Sequence, residues 1–459
     1  MTCYESLEGD RMLILFSVKN YRSIRAEQEL SLVASPYYGG RNASGNDQKN
    51  RDRQTIGKSL PGLSKKKYLR AVAIYGANGS GKSNVVHAMA SMQRIVQGSA
   101  SYLPADRIPY DPFALDAESK QSPTEYFVAF LWGGTRYEYE FSHDDRKIVF
   151  EQLSSFPKGQ RRILYRRSAG PENQTKVSGS TYLPVSDTVV SMLNPNVLLL
   201  SFLYAHPGLR GYEEISKAGE FFQNGLIILD HVRDRWREFP VSGEVLDGTI
   251  GSDYQRALIQ EMIRDSDVGI RSARIVRRKK EGQISRDDAV ENDVDASEVI
   301  TKTVMLDHEG TEGGGEINLA NESLGTMQVF SLSSFIGEAL EHDATLVVDE
   351  LDASMHPILA RQIVEMFERP DLRDRSAQLV FTAHQPYLMS GSTLERDQVW
   401  LTDKGSDGGT VLYPLSDYSP RKGEPIAQGY LLGRYAGVPV LPEDFGVPSA
   451  THGDGDSIG

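Results

Sequence analysis

Ile74-Tyr75-Gly76-Ala77-Asn78-Gly79-Ser80-Gly81-Lys82-Ser83 fits the pattern G-x-x-x-x-G-K-[ST] between Gly76 and Ser83. The apolar run Ala71 to Tyr75 before it has the texture of a buried parallel strand, and Asn84 to Met92 after it reads as helix. That context gives the pattern its meaning. Glycines at such a turn let backbone N–H groups converge on phosphate oxygens, and the following helix brings the positive end of its dipole to the same point. Lys82 would reach the β/γ-phosphates as a point charge, and the Ser83 hydroxyl would be a Mg²⁺ ligand.

Outward from this loop, composition sets limits. A chain of 459 residues has room for several structural units and a large core. A net charge of −13 makes the whole molecule a poor polyanion binder, so nucleic-acid contact would need a local basic patch. One cysteine, Cys3, excludes an intramolecular disulfide and fits a reducing, cytoplasmic setting. No apolar run is long enough to span a bilayer and no secretory leader is evident, which argues against membrane association.

Toward the N-terminus, residues 1–11 are unpatterned and expected to be flexible, and Leu13 to Ile24 with Gln28 to Val33 reads as an opening hairpin. Tyr37 to Lys67 has loop composition, and Lys65-Lys66-Lys67 reads as solvated. Beyond the loop helix, Glu125 to Leu131 and Tyr137 to Phe141 predict an antiparallel sheet beside the site. From about Ser191 to Ser297 the periodicity turns helical, with helices expected over Ser201–His206, Glu213–Asn224 and Asp253–Asp265. The basic cluster Arg271, Arg274, Arg277, Arg278, Lys279, Lys280 and the acidic stretch Asp287 to Glu298 follow. Mutual pairing, a solvated loop and nucleic-acid contact all remain open for them.

Strands return at Val299–Asp307 and Glu316–Leu319. A helix of about fifteen residues then leads to Leu346-Val347-Val348-Asp349-Glu350, an apolar strand delivering two carboxylates to a sheet edge. Asp349 is the candidate to hold Mg²⁺ and Glu350 to deprotonate the attacking water. After a helix over Pro357–Phe367, Phe381-Thr382-Ala383-His384 ends another strand, and His384 would contact the γ-phosphate or align the water. His356 is read as a loop-structuring residue. Strands alternating with helices predict an α/β core.

The ordered set resembles a known architecture. Gly76 to Ser83 resembles a Walker A loop, Leu346 to Glu350 a Walker B strand, Asp352 a D-loop aspartate and His384 a switch histidine. Glu322-Ser323-Leu324-Gly325-Thr326-Met327-Gln328 is similar to the signature segment of ABC-type ATPases, with Glu322 and Leu324 departing from the Leu-Ser-Gly-Gly form. Order and spacing resemble the SMC/RecF/OLD branch, and most of all its compact AAA-type abortive-infection (RloA-like) ATP-binding proteins. Val18 to Ser23 resembles their opening, and Arg421 to Pro439, with Gly429-Tyr430 and Gly433-Arg434-Tyr435, their end.

The resemblance implies a P-loop NTPase with an ABC-type head: a mixed β-sheet core, an antiparallel β subdomain, and a helical insertion between Walker A and signature. The expected units are a first ATPase lobe over 12–190, the insertion over 191–298, a second lobe over 299–415 and a C-terminal segment over 416–459 with a disordered tail. It also implies ATP and Mg²⁺ as cofactors, with Ser83 and Asp349 on the metal. Ser323, Gly325 and Gln328 would reach the nucleotide of a second subunit, so that a homodimer or assembly of dimers encloses ATP. For Arg22 a nucleotide contact by analogy and a structural salt bridge stand side by side. For Gln152 a Q-loop role and a surface position do likewise. The biological role implied is a sensor of a phage-derived trigger controlling a separately encoded effector, for which analogy points to a nuclease. A DNA-maintenance ATPase of SMC or RecF type is the alternative. A self-contained OLD-type nuclease is disfavoured, because no carboxylate cluster follows His384, and a transporter subunit by the long insertion.

Overall fold

The computed structural model describes residues 11–35, 55–56, 67–170, 175–210, 213–230, 240–267, 269–279, 300–369, 375–390, 393–420, 424–435 and 437–438. Expectations for Lys65, Lys66, Lys280, the acidic stretch, residues 421–423, Pro439 and the C-terminal tail fall outside them. The core sheet runs, in spatial order, β11 (Leu226–Leu229), β15 (Thr345–Val348), β16 (Gln378–Thr382), β5 (Ala71–Gly76), β17 (Val399–Lys404) and β18 (Thr410–Pro414). All neighbours are parallel except β17 and β18, which form an antiparallel edge pair.

Every residue of β5, β15 and β16 is buried, as strands covered on both faces require. Alternation along them feeds two cores. Val72, Ile74, Val347 and Val380 join one, with Val85, Val86 and Met89 of helix α1 (Lys82–Gly98) and Phe130 of the antiparallel sheet. Ala71, Ala73, Tyr75, Leu346 and Phe381 join the other, with Leu332 and Ile336 of α3 (Leu324–His342) and Ala360 and Ile363 of α4 (Pro357–Phe367).

The second sheet has the order β10 (Thr175–Gly179), β9 (Arg162–Ala169), β8 (Ile148–Phe156), β7 (Thr135–His143), β6 (Thr124–Trp132), β1 (Met12–Lys19), β2 (Gln28–Ser31). The opening hairpin and the later strands thus form one sheet, joined where β1 pairs with β6. Its buried centre is Glu151. That carboxylate accepts from Tyr139 Oη (3.0 Å), Tyr165 Oη (2.8 Å) and the backbone N–H of Leu199 (2.8 Å) and Leu200 (3.0 Å), where the helix Leu199–Ala205 begins. The Arg167 guanidinium lies 3.5 Å away.

The segment read as helical does contain helices over Leu199–Ala205, Glu213–Glu220 and Asp253–Ser266, the last named α2. It also holds two strands that periodicity did not reveal. Leu226–Leu229 is an edge of the core sheet, paired in parallel with β15. A four-residue apolar run has no period by which strand and helix differ. The basic cluster lies on β12 (Ile270–Lys279), antiparallel to β13 (Ile300–His308), which in turn pairs with β14 (Gly315–Asn318). Gln260 of α2 clamps β12, donating to and accepting from the Ala273 backbone at 2.6 and 2.9 Å.

Because a carboxylate and guanidinium buried together lose their compensation when one is removed, Glu151→Ala is expected to destabilise the protein by about 3–5 kcal/mol. The shift of the urea midpoint measures it.

Candidate nucleotide site

A cavity of about 510 Å³ opens at the C-terminal ends of β5 and its neighbours, lined by Asn78, Gly79, Gly81, Lys82, Ser83, Asn84, Glu350, Ala353 and His384. Gly79 and Gly81 have φ of +79° and +111°, in the region that L side chains avoid. Gly81 also has no room for a side chain, since a Cβ there would collide with Thr410.

Gly76, Ala77 and Ser80 belong to the loop but are not among the residues that line the cavity. Lys82 Nζ donates to the carbonyls of Gly76 (2.8 Å) and Ala77 (3.2 Å), holding the ammonium over the loop. Burial lowers its pKa from the ordinary value, while Asp349, Glu350 and Asp352 pull it back up.

The loop is braced from below by a chain of hydroxyls. Ser80 Oγ meets Thr402 Oγ1 at 2.6 Å, and Thr410 Oγ1 donates to the Ser80 carbonyl at 2.7 Å. Ser23 Oγ lies 2.8 Å from the same Thr410 oxygen and accepts from Asn84 Nδ2 at 2.6 Å. The C-terminal segment adds a floor. Tyr430, on α5 (Ile426–Leu431), packs on Tyr75 with ring centroids 6.0 Å apart, meets the Gly76 backbone, and donates to the Gly437 carbonyl at 3.1 Å.

Opposite the loop, β15 delivers the acidic residues and β16 delivers His384. Asp349 is buried, and its Oδ1 accepts from Thr382 Oγ1 at 2.6 Å. Glu350 has φ +53° and lines the cavity, with Oε1 3.4 Å from His384 Nε2. Asp352 is buried and turned inward, accepting from the backbone N–H of His384 (3.0 Å) and Gln385 (2.8 Å). Burial raises its pKa, and those two N–H groups oppose the rise. Asp352 thereby fixes the turn that presents His384.

The signature residues divide. Ser323 caps α3 by accepting from the Thr326 N–H at 3.1 Å, and Gly325 lies against Ser354, where a Cβ would come within 2.9 Å of its carbonyl oxygen. Neither lines the cavity of its own chain. Ser323 is exposed, as is its neighbour Leu324 at 67%. Gln328 departs from the expectation of an intersubunit contact. It is 5% exposed, and its Nε2 donates to the Leu351 carbonyl of the same chain at 3.4 Å, which tethers α3 to the acidic turn.

Arg22 donates to Nδ1 of His87 on α1 at 2.6 Å and lies 3.5 Å from Asp111, so the structure gives it intramolecular partners outside the cavity lining. Gln152 is 2% exposed, not at the surface, and is spent on Glu140 (2.6 Å) and Arg166 (2.7 Å) within the antiparallel sheet. His356 caps α4 by accepting from the Ile358 N–H at 3.3 Å, a loop-structuring position.

A family model described as AAA domain, putative AbiEii toxin, Type IV TA system matches residues 71–188 and 223–390. The chain belongs to this AAA-domain family. The matched residues of the AAA domain carry the whole cavity lining, whereas Ser23, Thr402, Thr410 and Tyr430 lie outside them. No curated protein matches the chain.

Among solved structures, an SMC head bound to the C-winged helix domain of ScpA is 12% identical, covering 87% of this chain and 96% of that chain with a TM-score of 0.39. The SMC head domain from Thermotoga maritima is 11% identical, covering 88% and 98% with a TM-score of 0.37. An Smc head with an extended coiled coil, bound to the C-terminal domain of ScpA derived from Pyrococcus furiosus, is 11% identical, covering 89% and 98% with a TM-score of 0.39.

Sequence reading of the AAA domain did not single out Asn84, Ala353 or Thr382. Asn84 directly follows the loop motif and Thr382 stands two positions before His384, so both had a local signal. Ser23 and Thr410 are 387 positions apart, and their pairing left no local signal.

Gly81→Ala is expected to lower stability by about 1–3 kcal/mol through strained backbone and the clash with Thr410. In a Thr410→Ala background the loss is expected to shrink, and a double-mutant cycle of urea unfolding measures the difference.

Proposed function

We propose that this protein binds and hydrolyses ATP with Mg²⁺ at an interface between two copies of the chain. We further propose that it acts as the sensor or regulator subunit of a bacterial abortive-infection system with a separately encoded effector. The observation that carries the reading is the split arrangement. Residues of Walker A, Glu350 and His384 share one cavity, while Ser323 and Gly325, at a helix start with the exposed Leu324 between them, are not part of its lining. An exposed apolar side chain at a capped helix N-terminus favours a partner that brings an anion.

The donors present suit the expected cofactors. Mg²⁺ is held by one or two protein oxygens together with substrate phosphates. Ser83, in the cavity lining, and Asp349, at the strand end, are such a pair. Among the described residues no group of three His, Cys, Asp or Glu side chains exists to build an all-protein cage. When bound, Mg²⁺ supplies charge that offsets what builds on the transferring phosphoryl group.

The chain's own residues supply the rest. Lys82 exchanges the carbonyls of Gly76 and Ala77 for phosphate oxygens. Glu350 takes the proton of the attacking water, and His384, held by Asp352, orients Glu350 and the γ-phosphate. Contacts from the partner's signature would favour the closed pair only while the γ-phosphate is present, which couples hydrolysis to opening. The defence role rests on the family description and on the resemblance of both chain ends.

The DNA-maintenance alternative draws little support from the basic strand. Arg274 pairs with Glu316, Arg271 with Glu309 at 3.4 Å, and Arg277 and Lys302 converge on Asp247 at 3.1 and 2.9 Å. Carboxylates already answer those four cations. No helix among the described residues is long and apolar enough to cross a membrane.

Glu350→Gln is expected to keep ATP binding, lose roughly 10²–10⁴-fold in turnover, and elute as an ATP-dependent dimer in size-exclusion chromatography with light scattering. Undiminished turnover removes Glu350 from the mechanism. Ser323→Arg is expected to bind ATP as a monomer without hydrolysis, and wild-type turnover in that variant would sink the composite site.

A further inference from the structure

Thr382 stands at the end of β16, fully buried, between the loop strand and the acidic strand. Parallel register sets it opposite Ile74 of β5, while its neighbour Phe381 faces Val348 of β15. Its hydroxyl uses both of its capacities on consecutive residues. It donates to Asp349 Oδ1 at 2.6 Å and accepts from the Glu350 N–H at 2.7 Å. Its carbonyl accepts from the Leu351 N–H at 3.0 Å. One threonine therefore touches three successive residues of the acidic turn.

The second bond matters most. Glu350 adopts φ +53°, a left-handed conformation that costs a non-glycine residue about 1–3 kcal/mol and persists only where the surroundings hold it. The Thr382 oxygen is the acceptor that holds the Glu350 N–H in that turn. Without it, the turn would keep the Leu351 N–H to Thr382 carbonyl bond but hold Glu350 less firmly, and a peptide that relaxed toward strand geometry would turn its side chain to the opposite face. The glutamate would then leave the cavity wall and its 3.4 Å approach to His384. The first bond fixes the Asp349 carboxylate by one oxygen in a buried site.

We propose that Thr382 is a positioning residue that sets Asp349 for Mg²⁺ and Glu350 for the attacking water through a single hydroxyl. Neither the motifs nor the family match assigns it this part. The assignment rests on the ATPase reading above.

The test compares Thr382→Val, which keeps the shape and loses the hydroxyl, with Thr382→Ser, which keeps the hydroxyl. Three quantities are read: thermal unfolding, binding of a fluorescent ATP analogue in EDTA and across a Mg²⁺ titration, and kcat and KM for ATP. In EDTA, Thr382→Val is expected to bind the analogue as the wild type does, because Lys82 and the loop are untouched. Its Mg²⁺ half-saturation is expected to rise about tenfold and its kcat to fall roughly 10–100-fold, the range for outer groups that orient a metal ligand. Thr382→Ser is expected to recover both to within about threefold. Should valine prevent folding, Thr382→Ala with the same serine rescue takes its place.

A valine variant with wild-type kcat and Mg²⁺ response overturns the assignment, as does a serine variant no better than valine. Those results leave the ATPase reading standing. A wild-type protein without ATP turnover overturns that reading and this assignment with it.

Discussion

In-register parallel pairing of β5, β16 and β15 is the constraint on which the molecule depends. It brings to one edge, at strand spacing, the loop that follows Gly76, the turn that follows Thr382 and the carboxylates that follow Val348. Strands buried on both faces cannot slip by a residue without moving a whole set of side chains between the two cores. Register and site geometry are therefore one property, fixed by the alternation Ala71-Val72-Ala73-Ile74-Tyr75 and its neighbours.

The polar elements of the site follow from where those strands end. Backbone N–H groups past a sheet edge have no ladder partner, and buried ones must find another. Here side-chain oxygens from adjacent strand ends take that place: Asp352 for His384 and Gln385, and Thr382 for Glu350. The same bonds that satisfy the turns also aim Glu350 and His384 at the cavity, so local stability and orientation arise from one set of contacts.

How far the sequence could be read follows the same division. The two-sided strands, the glycine loop and the strand-end carboxylates were legible because each leaves a pattern within about ten residues. Leu226–Leu229 was not, since a run that short has no period, and the basic cluster on β12 left mutual pairing, a solvated loop and nucleic-acid contact open because its partners Asp247, Glu309 and Glu316 are distant in sequence. Motif analogy gave Gln328 to a contact with a second subunit, whereas it is buried and bonded within its own chain. The hydroxyl chain below the loop was out of reach, as it joins Ser23, Ser80, Thr402 and Thr410 from three remote segments.

The bracing of the phosphate loop by Thr402, Thr410 and Tyr430 has a consequence for biosynthesis. Those residues leave the ribosome more than three hundred positions after Ser80. At elongation rates of about 5–20 residues per second, the delay is on the order of tens of seconds. Throughout that interval the nascent chain carries a glycine-rich loop with neither floor nor brace. The finished geometry of the loop is thus a late event in the life of each new molecule, and a truncated translation product, though it contains every matched motif, would lack these contacts.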